Sequence, residues 1–116
     1  MKTIKSIKEI SLTNKKLLDV KYSYVESSHD PLHILRKQQQ RAISDIAVNI
    51  CLVYGVKKRA IKAWNYTLTD RALKKTRYEP FINSLRGLTI IGNWEKNTFN
   101  IITAYWDFSI KNRKRY

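Results

Sequence analysis

The chain has 116 residues, 43% of them hydrophobic, which is enough for one domain with one packed core and too many for disorder. Lys and Arg number 23 against nine Asp and Glu, a net charge of +14. Such a balance raises solubility but makes the surface repel itself, so it points to a polyanionic partner. Nucleic acid is the first candidate, because each phosphate neutralised by Lys or Arg releases counterions. A merely solvated surface usually carries balanced signs. The basic residues run along the whole chain, which favours a broad basic face over a detachable tail. A single cysteine excludes an intramolecular disulfide and a paired-cysteine metal or redox site. No apolar run reaches the roughly 18 residues of a membrane span, and the first ten residues are too polar for a secretory signal. The expected location is the cytoplasm, or the chain is a domain excised from a delivered protein.

In chain order, Ile4, Ile7 and Ile10 recur three apart between lysines and predict a short helix. Residues 1–20 read as an N-terminal extension to a core spanning 22–108. Leu18, Val20, Tyr22 and Tyr24 alternate with polar positions and predict a first strand. After a break at Ser27–Asp30, Asp30 can cap a helix with Pro31 at its first position, running to about Gln40. Leu32 and Leu35 lie on one of its faces, and His33, Arg36, Lys37 and Gln40 on another. Ser44 caps the next helix. Ile46, Ala47, Ile50, Cys51 and Tyr54 form its apolar stripe, which places Cys51 in the core, and Gly55 stops it.

Beyond the basic run Lys57-Lys58-Arg59, a strand carries Trp64, Tyr66 and Leu68 on one face and Asn65 and Thr67 on the other. Thr69 and Asp70 open a weak basic helix or a loop over 70–78, which Glu79-Pro80 breaks. Leu88–Trp94 and Phe99–Phe108 form a closing hairpin. In its last strand Ile102, Ala104, Trp106 and Phe108 share one face, and Thr103, Tyr105 and Asp107 the other. Residues 109–116 are a basic tail. The order of elements predicts an α+β domain: N-terminal helices packed on a curved, mainly antiparallel sheet of four to five strands.

Several chemistries lack their residues. Glycine occurs only at 55, 87 and 92, so there is no phosphate-binding glycine loop, and no Ser-centred elbow or His/Cys spacing is present. The carboxylates do not cluster as metal ligands would. No metal or cofactor is expected. What remains is His, Arg, Lys, Tyr and Thr, a set suited to metal-free RNA cleavage, in which the substrate's own 2′-OH attacks the phosphate. Histidine is the side chain that can titrate near neutrality, so His33 suits a general acid or base. Arg36, one turn away, can hold two phosphate oxygens, and the Thr103 and Tyr105 hydroxyls project together from the last strand. Each also has a plain reading: an exposed helical His, a solvated Arg, ordinary strand residues. His29 lies in the loop ahead of the cap and is less well placed.

The segments His33-Ile-Leu-Arg36, Gln40-Arg41-Ala42-Ile43-Ser44 and Ile101-Ile102-Thr103-Ala104-Tyr105 resemble a small bacterial domain family. That family has an HA-x-x-R…R-G-I-S helix and a final strand reading I-T-V-Y. It is similar in turn to the barnase/EndoU/RelE-like (BECR) ribonuclease toxins. The likeness covers roughly residues 22–107, with Ile34 in place of the family's Ala and Ala42 in place of its Gly. It implies a metal-independent endoribonuclease toxin of toxin–antitoxin type, with helices on a curved antiparallel sheet. His33, Arg36, Thr103 and Tyr105 would be its catalytic residues, acting on tRNA, mRNA or ribosome-bound RNA. An acidic antitoxin or immunity protein is the implied partner.

The RNA-binding candidates are Lys37, Arg41, Lys57, Lys58, Arg59, Lys62, Arg71, Lys74 and Lys75. The alternative function is a non-catalytic basic nucleic-acid-binding protein or phage-type inhibitor. There Trp64 and Tyr66 would stack on single strands, although their alternation equally suits a core. A third reading places Ile4, Ile7 and Ile10 on an anionic membrane surface or an acidic partner.

Overall fold

The computed structural model describes residues 2–25, 42–107 and 109. The helix expected over 31–40, with His33, Arg36 and Lys37, lies outside the described residues, as do Arg41 and the tail from 110. The architecture is α+β: a few helices pack against one open sheet of five strands in the order β1–β5–β4–β3–β2.

Two helices open the fold, α1 (Lys2–Ser11) and α2 (Lys15–Leu18). The Asn14 side chain caps α2 by accepting from the Lys16 N–H at 3.2 Å. Both helices reach the core, through Ile7 and Leu17. Tyr78 fastens them: its hydroxyl lies 2.8 Å from Ser11 Oγ and accepts from Asn14 Nδ2 at 3.2 Å. Arg77 adds bonds to the Ile10 carbonyl (2.9 Å) and to Thr13 (3.1 Å).

Strand β1 (Lys21–Tyr24) is shorter than the alternation from Leu18 predicts. Leu18 instead closes α2 and stands 66% exposed, so the apolar alternation there spans two elements. The long helix α3 (Asp45–Tyr54) forms where expected. Ser44 Oγ accepts from the Ala47 N–H at 3.2 Å, and Gly55 ends the helix. Its Val48, Ile50, Cys51 and Leu52 are buried with Tyr66, Leu68, Leu88, Ile90, Phe99, Ile101 and Ala104 of the sheet region. The Cys51 thiol donates to the Tyr66 and Leu88 carbonyls, at 3.4 and 3.5 Å, and burial raises its pKa. It is a structural thiol.

The basic run at 57–59 is part of a strand, β2 (Val56–Ala60), an exposed edge paired antiparallel with β3 (Ala63–Thr67). The expected element over 70–78 contracts to one turn, α4 (Asp70–Leu73), capped by Thr69. A 3₁₀ turn (Glu79–Phe81) runs into α5 (Ile82–Leu85). Asp70 and Arg86 pair through two hydrogen bonds, one of them at 2.9 Å. The closing hairpin is β4 (Leu88–Glu95) and β5 (Thr98–Trp106), with Lys96 in the turn at φ 56.

The register of β4 and β5 shifts at Ile91/Gly92: Ile91 faces Thr103 while Gly92 faces Ile101. Ile102 is the extra residue of a β-bulge and is exposed, so it does not share the face of Ala104 and Trp106. Phe99 and Ile101 take that face ahead of the bulge. β1 joins the far edge of β5 in parallel, the one parallel pair of the sheet.

Candidate nucleic-acid interface

Cross-strand pairing sorts the site residues onto the two faces of the sheet. Residues directly opposite one another share a face, because side chains alternate along each strand. One row reads Lys57–Tyr66–Ile90–Ala104 and the next Arg59–Trp64–Gly92–Ile101; both lie on the α3 side. The rows Lys58–Asn65–Ile91–Thr103 and Val56–Thr67–Thr89–Tyr105 lie on the opposite side. The three consecutive cations of β2 are therefore divided. Lys58 shares a face with Thr103 and Tyr105, while Lys57 and Arg59 sit on the other.

On the α3 side a band of aromatic rings and cations runs from the β2 edge, with Trp64 and Trp94 partly exposed and Tyr66 and Phe99 buried beside them. Lys57 Nζ lies 4.2 Å from the centre of the Trp64 ring and 5.9 Å from that of Tyr66, and the Arg59 guanidinium lies 4.8 Å from Trp64. The negative face of the indole holds both cations in place without neutralising them. Neither has a carboxylate partner among the described residues, where the one ion pair is Asp70–Arg86. Tyr66 accepts from the Trp94 indole N–H at 2.9 Å. Phe99 packs edge-on against both rings, with centroids 5.4 Å from Tyr66 and 5.1 Å from Trp94. Gly92 lies beneath this cluster. A Cβ there would come within 2.8 Å of the Phe99 ring and 2.1 Å of the Asn100 carbonyl oxygen.

The band ends at a cleft of about 590 Å³ lined by Leu18, Asp19, Val20, Lys21, Trp94, Lys96 and Asn97. Trp94 is 37% exposed at its edge.

Thr103 and Tyr105 project on the opposite face, both half-buried. Nearby, Thr67 donates to Asn65, and Thr89 donates to the Gly87 carbonyl at 3.2 Å. His33, Arg36, Lys37 and Arg41 lie outside the described residues. Lys62 occupies the β2–β3 turn at φ 58, whereas Arg71, Lys74 and Lys75 follow the other end of β3, about 17 Å away along a five-residue strand. The basic candidates among the described residues thus form no single patch. Lys57 and Arg59 stand together over Trp64, while Lys58 is on the opposite face and Lys62, Arg71, Lys74 and Lys75 lie at the two ends of β3.

Sequence reasoning passed over Trp94, Lys21 and Lys96. Trp94 reads as an ordinary strand residue, and the cleft exists only because β1 lies beside β5. Among the described residues no cluster of three or more His, Cys, Asp or Glu could hold a metal ion, and no helix is long and apolar enough to cross a membrane. The chain matches no protein-family model, no curated protein and no solved structure.

Proposed function

We propose that this protein binds RNA through the aromatic and cationic band on the α3 side of its sheet. The observation that carries this reading is the pair Lys57 and Arg59, held over Trp64 and with no carboxylate partner among the described residues. Cations fixed on an exposed edge strand have little conformational freedom left to lose when a phosphate arrives, and the +14 charge draws the polyanion in. Fluorescence anisotropy with a labelled oligoribonucleotide tests it. Lys57→Glu/Arg59→Glu should weaken binding at least tenfold, since two phosphate contacts become repulsions, and should flatten the salt dependence. Absence of binding by the wild-type protein at low salt would overturn the reading.

A second reading, the metal-independent endoribonuclease, is favoured by the Thr103 and Tyr105 hydroxyls, which project from the same face of β5, the face that also carries Lys58 in the row of Thr103. His33 would act as general acid or base and Arg36 would hold the phosphate. Incubation with total RNA and tRNA in EDTA, beside a His33→Ala variant, decides it. Fragments with 2′,3′-cyclic phosphate ends that vanish in the variant are expected. Intact RNA in the presence of folded protein leaves binding alone.

A further inference from the structure

The cleft at the end of the band has a composition that bulk phosphate attraction does not require. Trp94 presents part of its indole at the cleft, and its orientation is fixed twice, by the hydrogen bond to Tyr66 and by the edge of Phe99. Leu18, 66% exposed at the end of α2, adds apolar surface to the same lining. An exposed Leu and a held Trp in one cleft form a surface for something flat and apolar. Two cations, Lys21 and Lys96, belong to the same lining, together with one carboxylate, Asp19, and one amide, Asn97. The Asp19 side chain has no hydrogen-bond partner among the described residues. A carboxylate accepts hydrogen bonds and repels phosphate, so it favours the N–H edge of a base and leaves the phosphates to the lysines.

We propose that this cleft receives one unpaired base of a single-stranded RNA, stacked on Trp94, with Lys21 and Lys96 on the adjoining phosphates and Asp19 and Asn97 at the base edge. A volume of about 590 Å³ lies within the roughly 300–1,000 Å³ typical of small-molecule sites. A base inside a duplex has both faces covered by its neighbours and cannot offer one to Trp94. Selection for single strands follows from that geometry, since base–aromatic stacking is available only to an unstacked base. The inference rests on the RNA-binding reading above and adds to it a substrate class: single strands over duplex.

The test compares one labelled oligoribonucleotide of mixed sequence, free and annealed to its complement, at equal salt. The single strand is expected to bind about tenfold more tightly, the lower part of the range for stacking one base. Trp94→Leu should abolish this preference, weakening single-strand binding about tenfold more than duplex binding. Because Trp94 also packs on Phe99, Leu18→Glu is the companion variant. Its side chain is mostly solvent-exposed, so the fold persists, and the added carboxylate should likewise abolish the preference. Equal binding of single strand and duplex by the wild type, or a preference that survives both variants, would overturn the proposal while leaving RNA binding intact. Binding of neither form removes both readings together.

Discussion

At Gly92 a single hydrogen atom separates a tolerated strand position from a collision. The missing side chain lets the Phe99 ring and the Asn100 carbonyl approach, and so lets Tyr66 and Trp94 meet above the strand. Gly92→Ala should therefore destabilise the fold by about 2–3 kcal/mol, the upper range for overpacking, as measured by urea denaturation. It should also weaken single-strand binding. At the same scale, Tyr78 is fully buried and its hydroxyl is the common partner of Ser11 and Asn14. Tyr78→Phe leaves those groups one partner short and should cost about 1–3 kcal/mol in the same experiment. Individual orientations were partly legible in the sequence. Thr103 and Tyr105 point outward as simple alternation predicts. Ile102 does not follow that alternation, because a bulge inserts one residue without leaving a composition signal.

The elements differ in how openly the sequence announces them. α3 combines a Ser cap, an apolar stripe and a glycine stop, and these three agree on one helix. β2 carries Lys57, Lys58 and Arg59 and has no apolar face of its own. Its strand character comes from backbone pairing with β3 and from cations lying over Trp64, both long-range facts. α2 hides in an alternation that continues into β1. The charged edge of β2 also deters pairing with other chains, as basic edge strands commonly do.

One inter-element bond gives a pH test. Tyr22 of β1 donates to Asp45 in the first turn of α3, and burial followed by that carboxylate raises the Tyr22 pKa; Tyr24 is raised for the same reasons. The folded state thus holds phenolic protons that the unfolded chain releases near the ordinary value of 10.0. The stability from these phenols is complete below that pH and declines as pH rises above it. Tyr22→Phe should be less stable at neutral pH, having lost a hydrogen bond, yet show a flatter decline between about pH 9 and 11 in thermal melts.

For the molecule as a whole, nine carboxylates face 23 Lys and Arg, so most of the positive charge is left over. Among the described residues, Asp45 is taken by Tyr22, Glu79 by the Lys75 backbone and Glu95 by Asn100, all uncharged groups. Asp70 pairs with Arg86. Added salt should therefore act in opposite directions on the two properties. Screening of self-repulsion should raise the melting temperature by a few degrees between low and moderate ionic strength, while RNA affinity should fall steeply over the same range. Melts and binding isotherms in one salt series check both. The fold class was legible at this scale because helix and strand periods are local. The position of the interface was not, since it depends on which strands lie side by side.

The parallel docking of β1 against β5 sets an order of events during synthesis. The strand made first must wait for the strand made last, because its hydrogen-bonding edge does not exist until residues 98–101 have emerged. A ribosome that has exposed the chain as far as β4 displays a three-stranded meander of β2, β3 and β4 whose inner edge is still unpaired, with β1 waiting beside it. Tyr22 is then held by its link to Asp45 at most, and the cleft between Lys21 and Trp94 has not yet formed. The cleft proposed above for an unpaired base comes into being with β5, so on that proposal RNA binding there should follow completion of the sheet.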